Sequence, residues 1–246
     1  MERKPYSRYF TEDSTPAWKC PSCHSGLLKL SKENLLRRQT AASAAEQRQD
    51  FSEFEWIKTK VAAMFVCSHC GESVACAADG WVDEIYGDDE YGDIQRDWED
   101  RFTPRYFAPP LVLMDIPEDC PEGVASHLQT SFSMYFCNPG ASANAARIAL
   151  EVLMDEWGVP KDDNGKTLTL HQRLQRLPPA YSGLEELLLA VKWLGNDGSH
   201  GGNLTKDDVN TLYDILEVAL HEAYDKKKDT VLAKARAINQ TRVKKP

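Results

Sequence analysis

Cys20-Pro21-Ser22-Cys23 and Cys67-Ser68-His69-Cys70 are the two stretches on which the reading of this chain turns. A Cys-x-x-Cys pair presents two thiolates to one ion from a tight knuckle. Two such pairs complete the tetrahedral four-sulfur shell that a structural zinc prefers. The gap between the pairs is longer than in the shortest zinc ribbons, and an insertion at the ribbon tip absorbs it. The alternatives are a redox dithiol or unrelated buried thiols, but a redox motif uses one pair in a βαβ setting and here there are two. His24 and His69 flank the knuckles and have the chemistry to replace a sulfur; with four cysteines at hand they read as loop residues. Four thiolates leave no open position for water, so the expected Zn2+ organises structure and performs no chemistry.

Outward from the knuckles, Gly26-Leu27-Leu28-Lys29-Leu30 has the pattern of a strand leaving a turn. Val61 to Val66 leads into the second knuckle as a buried strand does, and Gly71-Glu72-Ser73-Val74-Ala75 leaves it. Residues 32–58, rich in Glu, Gln, Arg and Ala, favour a helical insertion. Residues 15–82 are thus expected to form a zinc-ribbon module with a helical insertion. Residues 79–101 hold ten acids against two arginines, so 83–101 reads as an acidic linker.

Beyond Phe102 five prolines keep the chain extended as far as residue 122. Helical spacing then recurs: Val124, Leu128 and Phe132; Ala145, Ile148, Ala149, Val152 and Leu153; Leu170, Leu174 and Leu177, stopped by Pro178-Pro179. Ser182-Gly183-Leu184-Glu185 reads as a capping box opening a helix through Leu194. Thr205-Lys206-Asp207-Asp208 reads as a similar start. Residues 102–225 are expected to be an all-α bundle and 226–246 a tail with eight basic residues against Asp229. The expected fold class is therefore mainly α, with a small β-rich zinc ribbon in front.

The chain has 246 residues, 42% of them apolar, and a net charge of −9. No apolar run approaches a membrane span, and MERKPYSRYF lacks the apolar stretch of a signal peptide, so a cytoplasmic protein is expected. Seven cysteines, four of them assigned to metal, suit a reducing compartment, with Cys76, Cys120 and Cys137 as ordinary thiols. Overall acidity argues against a dedicated duplex-DNA binder, while the basic tail would attract a nucleic-acid backbone.

One loop carries candidate chemistry: Lys192-Trp193-Leu194-Gly195-Asn196-Asp197-Gly198-Ser199-His200-Gly201-Gly202. Its glycines suit a reversal between antiparallel helices. Were the helix to run on, Lys192, Asn196 and His200 would share one face, but Gly195 and Gly198 argue for a turn.

Together with Phe102-Thr103-Pro104-Arg105-Tyr106-Phe107, Asp119-Cys120-Pro121 and the helix Ala143 to Glu151, this loop resembles domain-of-unknown-function family 4145 over roughly residues 102–225. That family resembles the larger HEPN group (higher eukaryotes and prokaryotes nucleotide-binding) of helical bundles, which commonly dimerise and include metal-independent ribonucleases of toxin and antiviral systems. The resemblance places Asn196 and His200 on the group's later motif positions, but Gly195 falls where its arginine stands, and Lys192 lies one turn too early. In the resembled mechanism the arginine steadies the scissile phosphate while His moves protons. Lysine does not reproduce bidentate phosphate geometry. The resemblance therefore implies a non-catalytic or weakly active binding or adaptor protein, a homodimer, in a prokaryotic defence or nucleic-acid-processing system, with RNA or a nucleic-acid-processing protein as partner. The alternative is an endoribonuclease using His200, Asn196 and Lys192, in which Lys192 and Arg147 stand in for the missing arginine unless Glu151 holds Arg147 in a salt bridge. A purely structural domain would leave the tail and the Gly-rich loop unexplained.

Overall fold

The computed structural model describes residue 6 and residues 8–88, 94–199, 203–224 and 227–243. Four antiparallel strands come first: β1 (Leu28–Gln39), β2 (Lys58–Cys67), β3 (Ser73–Asp88) and β4 (Ile94–Ala108), neighbours in chain order. Strand β2 shows why. Its residues alternate exposed and buried along the whole length, so Val61, Ala63, Phe65 and Cys67 share one face. That face is covered by Phe10 and Trp18 from the N-terminal segment and by Phe102 and Phe107 from β4. These rings meet Phe65 and one another edge-on or tilted at 5.2–6.2 Å.

This sheet overturns the expected mainly-α fold class: the protein is 44% helical and 27% strand. Two misreadings account for the difference. Residues 83–88 and 94–101, expected as an acidic linker, are the ends of β3 and β4, paired from Asp83↔Glu99 to Asp88↔Ile94. Acids there alternate with Trp81, Ile85, Ile94 and Trp98, which suit a pleated surface, and arginines offset the charge. Arg101 bridges Asp83 and Glu99, which stand opposite each other; Arg96 pairs with Glu84, and Arg37 with Asp100. Likewise 32–58 is no helical insertion. Strand β1 continues to Gln39, and only α1 (Ala41–Glu46) and a 3-10 turn at Phe54–Trp56 intervene. Buried Ser43 ties that connection down, donating to Trp56 O and accepting from Lys58 N.

The second half is helical: α2 (Glu122–Met134), α3 (Pro139–Glu156), α4 (Leu170–Leu174), α5 (Glu185–Ser199), α6 (Lys206–Tyr224) and α7 (Lys227–Val243). A two-residue hairpin, β5 (Asp162–Asp163) with β6 (Lys166–Thr167), interrupts the expected all-α run. Asn138 caps α3, accepting from Ala141 N, with Pro139 in the first turn. Thr205 and Asp208 form the expected reciprocal start of α6: Thr205 N donates to Asp208 Oδ2 at 2.8 Å and Asp208 N to Thr205 Oγ1 at 3.3 Å. Ser182 does not cap; its hydroxyl donates to Pro179 O inside a 3-10 turn that precedes α5. Sheet and helices share one buried core, joined where Phe107 of β4 meets Phe136 at 4.8 Å beside Leu111, Leu113 and Met114. The expected boundary at residue 102 therefore cuts through β4.

Candidate metal centre and the α3–α5 seam

The four knuckle cysteines converge. The sulfurs of Cys20, Cys23, Cys67 and Cys70 all lie within 4.8 Å of one another. Cys20 to Cys70 measures 3.7 Å and Cys23 to Cys67 3.6 Å. A tetrahedron with metal–sulfur bonds of about 2.3 Å has edges of about 3.8 Å, so the cage is already sized for such an ion. The surroundings are built for thiolates. Ser22 N points at Cys20 Sγ, Gly26 N at Cys23 Sγ, and His69 N and Cys70 N at Cys67 Sγ, at 3.3–3.4 Å. The Cys67 thiol is accordingly pulled down to about 6, first by the Cys70 N–H and then, against burial, by that of His69. A backbone hydrogen bond from Glu72 lowers Cys70, but burial and the neighbouring sulfurs outweigh it and push it up to about 12. Four adjacent thiols do not all ionise without a cation between them.

Local sequence makes this geometry. Each knuckle is followed by a residue at positive φ, His24 at 55° and Gly71 at 75°, which turns the chain away from the sulfurs. His24 is thus a turn residue and, like His69, stands outside the four-cysteine group. Gly26 was missed as a site residue: a Cβ there would stand 2.4 Å from Cys67 Sγ. The signal was the first knuckle's Cys-x-x-Cys-x-x-Gly spacing.

The helical candidate behaves differently. Helix α5 does not turn at Gly195; it runs on to Ser199. The glycines serve helix packing. A Cβ on Gly195 would lie 2.5 Å from the Arg147 Cβ, and one on Gly198 would lie 2.4 Å from Gly140 O. Lys192 and Asn196 do share a helical face, whereas His200 lies outside the described residues. Lys192 is only 8% exposed, its ammonium 3.1 Å above the Trp193 ring. Burial lowers its pKa, the nearby Arg147 lowers it further, and Asp197 opposes both. Arg147 is occupied: it pairs with Glu151, and its Nε donates to Asn144 Oδ1 at 3.2 Å. The Ser199 hydroxyl lies 2.7 Å from that same oxygen and 3.0 Å from Gly195 O. Asn144 and Ser199 were not foreseen; Asn144-x-x-Arg147-x-x-x-Glu151 on one helical face was the available signal.

Residues 8–107 match the family model described as Domain of unknown function (DUF8608). Residues 129–241 match that of Domain of unknown function (DUF4145). The second match narrows the resemblance at its start and carries it into α7. No curated protein and no solved structure matches the chain. No helix among the described residues is long and apolar enough to cross a membrane.

Proposed function

We propose that this protein is a non-catalytic, HEPN-like binding or adaptor protein, stiffened by a structural zinc at Cys20, Cys23, Cys67 and Cys70, that works on or with RNA in a prokaryotic defence or nucleic-acid-processing system. One observation carries the non-catalytic reading. The motif position where the HEPN group has its arginine is Gly195, and its missing side chain is the space into which α3 packs. An arginine does not fit there, and the nearest one, Arg147, is held by Glu151 and Asn144. The protein acts in the cytoplasm, as a homodimer through α5 and α6, whose outer surfaces expose Trp193 and Val218.

Incubation of the purified protein with labelled RNA in the presence of a chelator, beside His200→Ala, tests the reading. No cleavage by either is the expected outcome. Cleavage that His200→Ala abolishes establishes the second reading, a metal-independent endoribonuclease. One feature favours that alternative: the buried Lys192 ammonium has no ion pair among the described residues and lies in the field of Arg147, an arrangement an anionic phosphate would stabilise.

A further inference from the structure

An antiparallel sheet with one face on a core ordinarily turns polar side chains to water on the other. Here the outward face is apolar at its centre. Strand register aligns Leu36, Ala62, Ala77 and Tyr106 in one row across all four strands. Leu36 is 71% and Tyr106 47% exposed, and both alanines are exposed. The next residues outward on β2, Met64 and Val66, are exposed as well. Towards the other end the same face is cationic. Arg38 stands opposite Lys60 on the neighbouring strand, Lys58 follows on β2, and Arg105 rises from β4. Both Lys60 and Arg105 share Asp79, while Lys58 donates to Glu55 O at 3.2 Å and lies beside Glu46 and Glu55. Like charges directly opposite in a sheet are destabilising, and this pair lies in a chain of net charge −9. The local surplus of cations is therefore not a by-product of composition.

We infer that this open face binds single-stranded nucleic acid, with bases stacked on Tyr106 and the apolar row and phosphates beside Arg38, Lys60 and Arg105. The inference rests on the RNA-binding part of the function proposed above and gives it a surface away from the α3–α5 seam. Charge complementarity selects the occupant. An apolar protein partner would cover the row and leave Arg38 and Lys60 facing each other in a drier contact. A single strand supplies both flat apolar rings and the phosphates those cations lack. Duplex nucleic acid keeps its bases stacked inside and offers the row nothing.

The test is fluorescence anisotropy of the full chain with labelled oligo(U) and oligo(dT) of about 12 nucleotides, titrated with salt. Tyr106→Ala is expected to weaken binding about tenfold and Tyr106→Phe to restore it. Arg38→Gln with Lys60→Gln is expected to flatten the slope of log affinity against log salt by about 1.4. That double variant should melt close to the parent, because it relieves a like-charge pair and Arg105 still holds Asp79 when Lys60 is lost. Tighter binding of oligo(U) identifies a preference for RNA, and equal binding identifies a general single-strand surface; either supports the inference. Binding that none of these variants changes but truncation of α7 removes would overturn the sheet face and leave the RNA reading standing. Absence of binding at low salt, with self-association lost on Tyr106→Ala, would assign the face to a protein contact and overturn the inference, while the adaptor reading survives.

Discussion

At Gly195 and at Cys67 single residues decide the local geometry. The hydrogen of Gly195 lets α3 and α5 approach so closely that any side chain meets the Arg147 Cβ and Ala143 O. Gly195→Val should lower unfolding free energy by about 2 kcal/mol through overpacking. Gly183→Ala, with open space around it, should be nearly silent; paired denaturant curves measure both. At the knuckles, Cys20→Ser with Cys67→Ser should abolish a zinc content of about one per chain in elemental analysis. Retention of the metal by that double variant would refute the four-sulfur site. The cysteine quartet was legible in the sequence because ligand spacing is a local property. The role of Gly195 was not, since a glycine for turning and a glycine for packing look alike until the facing helix is in place.

Two elements show how charge is managed locally. In α6 the Asp208 carboxyl is held below its ordinary value of 3.8 by the backbone N–H and hydroxyl of Thr205. A depressed carboxylate contributes stability that is present above the unfolded pKa and lost as pH falls through the lower folded one. Wild type should therefore exceed Asp208→Asn in stability at neutral pH, with the gap closing below about pH 3.8, as thermal melts across pH would show. Thr205→Ala should cost about 1 kcal/mol. In the β3–β4 ribbon, Arg101 is the partly buried cation between Asp83 and Glu99. Arg101→Ala leaves those two acids opposed and should lower the melting temperature, less so at high salt, where like-charge repulsion is screened. This ribbon was read as a linker because counted acids outweighed the alternating apolar residues. Two of the offsetting arginines, Arg96 and Arg101, lie in that same stretch and Arg37 joins from β1, but which carboxylate each one neutralises is set by cross-strand register, which a window of sequence does not contain.

For the whole molecule, one continuous core links the sheet that carries the four cysteines to the helices. Phe107 and Phe136 join sheet to helices, and buried side chains run unbroken from Tyr6 to Leu220. Removal of the metal should therefore lower a single cooperative melting transition rather than melt an N-terminal module ahead of an untouched bundle. Calorimetry with and without a chelator distinguishes the two.

The sequence by itself determined the cysteine quartet, the strands entering and leaving the second knuckle, the main helices of the second half and the Thr205 start of α6. Each of these is written in spacing, periodicity or capping chemistry within a few residues. Tertiary structure alone decided that β1, β3 and β4 extend far beyond the knuckles, that α5 continues through two glycines, and that an apolar row with a like-charged border crosses the outer face of the sheet. Those features depend on which residue stands opposite which across strands and helices. Cross-strand register and helix crossing are long-range quantities that no local pattern encodes.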